Sequence, residues 1–116
     1  RPWILNLLAE EDISLYNSIF TDFFDTQKAT LKSISKLAKL TNSKVLPCMC
    51  TYSFESNDYF FKVFPELDNF PSNNIDEDCL KINMCLQQQI LFDVSQYMWT
   101  LRIYKHRPDG SDVYKI

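Results

Sequence analysis

Glycine is almost missing from this chain: there is one in 116 residues. Loops that cradle phosphates need glycines, because only a residue without Cβ lets the backbone approach the anion and turn through positive φ. Walker and G-x-G-x-x-G loops are therefore excluded, as are the G-x-S-x-G nucleophile elbow, collagen-like repeats and flexible linkers. Histidine is as scarce, with His106 alone. It stands between Lys105 and Arg107, ahead of Pro108, and reads as a solvated side chain in a polar tail rather than a general base. H-E-x-x-H needs two imidazoles and is absent. Cys48, Cys50, Cys79 and Cys85 offer no C-x2-C spacing, so the expectation is reduced thiols in a cytoplasmic setting, with no metal site and no cofactor. The longest apolar runs, Trp3 to Ala9 and Ile90 to Phe92, fall short of the about 18 residues that span a membrane. A formal charge of −3 gives no basic excess, so nucleic acid is not an expected partner.

What the chain does have is core-forming material. Hydrophobic residues make up 46% and aromatics 15%, which excludes a disordered tail and fits one packed domain. Trp3 to Ala9 reads as a strand covered on both faces, and Ile19 to Phe24 as a second. From about Gln27 to Thr41 the spacing becomes helical. Leu31, Ile34, Leu37, Ala38 and Thr41 fall on one side, and Lys28, Lys32, Lys36 and Lys39 form a stripe on the other. Asn42 suits a left-handed C-cap. Val45 to Phe54 and Tyr59 to Phe64 read as an antiparallel hairpin, with the preceding strand, helix and strand as a right-handed parallel crossover. Asn74 reads as the N-cap of a long helix, with Asp76, Glu77 and Asp78 in its first turn, reaching about Tyr97. Its expected buried stripe is Leu80, Met84, Leu91, Val94 and Met98. The expected fold is α/β: a small, mixed, mostly parallel sheet with a β-hairpin and two main helices.

Several stretches, taken together, resemble a known family. Gln96-Tyr97-Met98-Trp99, then Arg102, Tyr104-Lys105 and Arg107-Pro108-Asp109-Gly110, is similar to the closing string Q-Y-[ML]-W-x-H-R-R-F-K-x-R-P-x-G of the lipid A biosynthesis acyltransferases. Glu10-Glu11-Asp12-Ile13-Ser14 falls where that family shows D-x-D-x-G, and Ser18 to Asp25 where it shows S-x-F-V-x-F-F-G. Ala29-Thr30, Leu37 to Thr41 and Lys44 to Pro47 match A-T, L-A-R-x-T and K-V-[VL]-P in order. Ser14, Asp25 and Asn42 replace glycines, Leu101 replaces a histidine and Ile103 an arginine. Asp25 and Asn42 can still adopt left-handed turns.

The resemblance implies a glycerolipid-acyltransferase-like domain at the cytoplasmic face of an inner membrane. Such an enzyme moves a fatty acyl chain from an acyl carrier protein thioester to a hydroxyl of a lipid A precursor. It also implies a His-x4-Asp/Glu catalytic pair, which these residues do not supply, so residues 1–116 are expected to be the C-terminal part of that domain and inactive alone. The start at Arg1-Pro2-Trp3, without an initiator Met, fits the same expectation. Remaining candidates for the wall of a substrate site are Glu10, Glu11, Asp12, Thr30, Arg102, Lys105 and Arg107, with the basic members directed at phosphates or the membrane surface. Two alternatives stay open: a non-enzymatic module whose lysine stripe binds an acidic protein, and an inactive, diverged paralogue. As a separated piece the chain is expected to leave open strand edges and to self-associate.

Overall fold

Phe24 and Asp25 turn the chain back on itself within two residues. The computed structural model describes residues 3–115; Arg1, Pro2 and Ile116 lie outside them. Phe24 and Asp25 both adopt left-handed backbone, with φ of 50° and 60°. That is the geometry whose twist matches a two-residue hairpin. Strands β1 (Ser18–Phe23) and β2 (Thr26–Leu31) therefore pair antiparallel, Phe23 opposite Thr26 and Ser18 opposite Leu31. Helix α1 (Ser33–Thr41) follows and ends at Asn42 in the expected left-handed cap, with φ of 52° and its N–H bonded to the Ala38 carbonyl. Strands β3 (Cys48–Ser53) and β4 (Asp58–Val63) form the second antiparallel hairpin. Helix α2 (Ile75–Phe92) starts on Asn74, whose side chain accepts the Asp76 and Glu77 N–H groups at 3.0 and 3.4 Å. A single 3-10 turn, Val94–Gln96, and an irregular tail complete the described chain.

The α/β class holds, but the mostly parallel sheet does not: the described strands make two separate two-stranded antiparallel sheets. Once β1 hydrogen-bonds to its immediate successor, the segment read as the start of a helix becomes β2, and Lys28 leaves the lysine stripe for the interior. Trp3 to Ala9 pairs with no described strand and is largely exposed, Ile4 at 97%. Helix α2 stops at Phe92 rather than Tyr97, where the Asp93 side chain caps the following turn by accepting the Ser95 N–H.

Helix α2 packs on β1 and β2 with its other face. Cys79, Ile82 and Ile90 are buried, while Leu80, Met84, Leu91, Val94 and Met98 face outward, Met84 at 53% exposure. Polar anchoring decides this orientation. Asn83 donates to the Asp22 carbonyl at 3.2 Å and to Thr30 Oγ1 at 2.8 Å, and buried Asp78 accepts from Ser35 Oγ at 2.6 Å and from the Ser72 N–H at 2.9 Å. Turning the apolar stripe inward would break these bonds and strand their partners, at about 1–3 kcal/mol each. The apolar core is small. Phe23, Ile90 and Ile103 form it, with Phe24, Leu86, Tyr97, Leu101 and Tyr104 against them. Ile103 thus points inward at a position where the resemblance calls for arginine. A radius of gyration of 15.2 Å, against about 13 Å for a compact domain of this length, and extents of 45 × 43 × 23 Å describe a plate with little interior. The hairpin β3–β4 carries Phe60, Phe61 and Val63 exposed.

Candidate functional site

The tail after Trp99 returns to the β1–β2 hairpin, tied to two of its carbonyls, and to the acidic loop ahead of it, tied to one carboxylate. Tyr104 Oη donates to the Phe23 carbonyl at 2.8 Å, and Arg107 Nη1 donates to the Gln27 carbonyl at 2.7 Å. Between them, His106 is held by the acidic loop. Its backbone N–H donates to Asp12 Oδ2 at 2.7 Å and its Nδ1 lies 2.6 Å from Asp12 Oδ1. The Asp12 side chain is fully buried and the imidazole is 26% exposed. A carboxylate only accepts, so Nδ1 carries the proton and Nε2 is left without one in the neutral ring. His106 is therefore a held side chain and not the solvated one its neighbours suggested. The partners are 94 positions apart, a separation at which no local pattern could reveal them.

Lys28 is the second residue the sequence concealed. Its side chain has no solvent exposure, and Nζ donates to the Ala29 carbonyl at 3.3 Å. Burial pushes the Lys28 ammonium below its usual range, against the opposing attraction of Asp12 and Glu10. Burial also raises Tyr97, to about 12, and Tyr104; at Tyr104 the nearby Arg107 partly offsets it. Tyr97 Oη is buried without a hydrogen-bond partner among the described residues.

The candidate residues separate into two groups. Asp12 meets the tail at His106, the residue between Lys105 and Arg107, with Arg107 stacked 5.4 Å from the Tyr104 ring centre. Glu10 and Glu11 are half-buried in the same loop, while Lys105 and Arg102 are exposed, Arg102 lying 5.9 Å from the ring centre of Tyr114. Thr30 stands apart. It is buried, donates to the Lys28 carbonyl at 3.1 Å and accepts from Asn83, so its hydroxyl is committed to the fold. Beside the tail, Phe24, Ile90, Leu91, Val94, Trp99, Ile103 and Tyr104 line an apolar cleft of about 290 Å³. No described helix is long and apolar enough to cross a membrane. The lysine stripe that motivated a protein-binding alternative has lost Lys28 to the interior and keeps Lys36 and Lys39 exposed on α1.

Comparison with known proteins gives the class. Residues 3–106 match the family model for the bacterial lipid A biosynthesis acyltransferases, and the chain belongs to that family. Among curated relatives, a lipid A biosynthesis acyltransferase of Haemophilus influenzae is 32% identical over 92% of this chain and 33% of its own length. The lipid A biosynthesis myristoyltransferase of Escherichia coli is 29% identical over 89% of this chain and 32% of its own. The palmitoleoyltransferase of the same pathway in that organism is 24% identical over 87% and 33%. The chain thus spans about a third of the length of these relatives.

Proposed function

We propose that residues 1–116 are the C-terminal part of a single acyltransferase domain. The whole protein transfers a fatty acyl chain from an acyl carrier protein thioester to a hydroxyl of a lipid A precursor, at the cytoplasmic face of the inner membrane. Family membership supports the reaction class. The observation that carries the assignment of a site here is the fold-back of the tail: His106, between Lys105 and Arg107, is bonded to Asp12 of the acidic loop, and Arg107 reaches the hairpin end at Gln27.

In this reading the acceptor hydroxyl attacks the thioester carbonyl, a C–O bond forms and the C–S bond breaks. The hydroxyl proton passes to an imidazole, and from it to the departing thiolate. That imidazole belongs to the His-x4-Asp/Glu pair implied by the resemblance and lies outside these residues. This segment supplies the wall: Glu10 and Glu11 at the acidic loop, and Arg102, Lys105 and Arg107 as cations for the anionic head of the acceptor. The apolar run Trp3 to Ala9, largely exposed and pairing with no described strand, supports the claim that this is part of a larger domain, since apolar surface of that extent calls for a covering partner.

The test is acyl transfer by the full-length protein with acyl carrier protein thioester and lipid A precursor. Arg102→Ala and Arg107→Ala are expected to lower kcat/KM about tenfold each, the loss of one charge-assisted contact. Unchanged rates in both would remove the site assignment.

A further inference from the structure

We infer that Asp12 and His106 form a two-point latch that positions Lys105 and Arg107 for an anionic acceptor, making Asp12 a positioning residue and not a substrate contact. The inference deepens the functional reading above and rests on it. Both Asp12 oxygens are occupied within the protein, one by the His106 backbone N–H at 2.7 Å and one by Nδ1 at 2.6 Å, and its side chain is fully buried. A carboxylate so placed has neither exposure nor a free oxygen with which to meet a ligand.

What it does instead is fix residue 106 in both backbone and ring, and with it the residues on either side. Lys105 and Arg107 flank the grip. Arg107 is pinned again by its bond to the Gln27 carbonyl at 2.7 Å and by the Tyr104 ring, which leaves further guanidinium donors uncommitted. Holding the Arg107 side chain, and the backbone from which Lys105 projects, lowers the entropy lost when an anion binds the pair. Lys28 is close enough to Asp12 to be attracted by it, and Glu10 acts on the same ammonium.

The experiment uses the full-length protein with acyl carrier protein thioester and lipid A precursor. In Asp12→Asn the side chain keeps one acceptor oxygen and cannot hold both donors. KM for the acceptor should rise about tenfold with kcat within about twofold. His106→Ala should behave alike, and His106→Asn, whose amide N–H can take the place of Nδ1–H, should restore KM. A kcat loss with KM unchanged, an unaltered Asp12→Asn, or an Asn variant no better than Ala would overturn the latch. Should Asp12→Asn not fold, the His106 pair decides. If wild type transfers no acyl group, the functional reading fails and the latch is judged by hydrogen exchange. Slow exchange of the His106 amide that quickens in Asp12→Asn, or in His106→Ala at residue 106, supports it; equal exchange overturns it.

Discussion

The side-chain amide of Gln96 pairs with the backbone of Tyr52 as a neighbouring strand does. Its Oε1 accepts the Tyr52 N–H at 2.8 Å and its Nε2 donates to the Tyr52 carbonyl at 2.8 Å. Asp93 Oδ2 takes a further bond from Nε2 at 2.8 Å and holds the amide in place, while Gln89 Nε2 donates to the Cys48 carbonyl at 3.3 Å. Two glutamines from the end of α2 and the turn beyond thus satisfy part of the outer edge of β3. This gives a physical reason for the glutamine that opens the family-like string: a primary amide presents donor and acceptor side by side, matching the N–H and C=O of one backbone residue.

Gln96→Ala, which loses donor and acceptor together, should lower stability by about 1 kcal/mol. The Tyr52 amide should exchange faster in the Ala variant than in wild type. Unchanged exchange at Tyr52 would show that the pairing contributes nothing.

Asp78 ties α1, the loop at Ser72 and α2 together, and it makes stability depend on acid. Burial pushes its carboxyl up, but the hydrogen bonds from Ser35 and Ser72 and the nearby Lys81 outweigh burial and hold it below its ordinary value of 3.8. Its contribution is complete above that value and is lost as pH falls through the lower, folded one. Asp78→Ala should cost about 2–3 kcal/mol at neutral pH, the range for hydrogen bonds to a charged group. In denaturation curves the gap to wild type should close below pH 3.8. A gap that persists in acid would assign the loss to packing instead.

Much of the fold is legible because its signals are local. Asn74 with three acids behind it fixes where α2 begins, Asn42 where α1 ends, and the polar stretch from Glu55 to Asp58 where the second hairpin turns. What the sequence hides depends on partners far along the chain. Helix α1 has no side-chain cap at Lys32, so nothing marks the change from β2 to helix and the periodicity runs on through it. The turn at Phe24–Asp25 lacks the glycine or asparagine that announces such geometry. The buried face of α2 is chosen by Asn83 and Asp78 through bonds to Thr30, Asp22, Ser35 and Ser72, and an apolar count alone selects the opposite face. In the candidate site, the acidic loop and the basic tail are both visible as charge clusters. Their junction, through His106, is not.

Lys28 should prove unfavourable to the fold. Because burial holds its ammonium below 10.5, the unfolded chain binds more protons in the window between the folded value and 10.5, and stability rises as pH climbs through it. Lys28→Met should raise stability at neutral pH by about 1 kcal/mol and abolish that alkaline gain. A less stable Met variant would show that the attraction to Asp12 and Glu10 outweighs burial.

Three of the four thiols should separate by reactivity. Cys48 and Cys50 are exposed, whereas Cys79 is buried and its thiol is pushed up to about 11, by burial first and then by Asp78 and Asp76. Thiolate is the reacting form. With an aromatic disulfide reagent at mildly alkaline pH, Cys48 and Cys50 should react at once and Cys79 only on unfolding. Prompt labelling of Cys79 would contradict its place on the face of α2 turned toward β2.

The most direct measurement sets residues 1–116 beside the full-length protein in one assay of acyl transfer from acyl carrier protein to lipid A precursor. The account predicts product from the full-length protein and none from the shorter chain. Transfer by residues 1–116 alone would contradict it, because the proton-handling imidazole would then have to be His106.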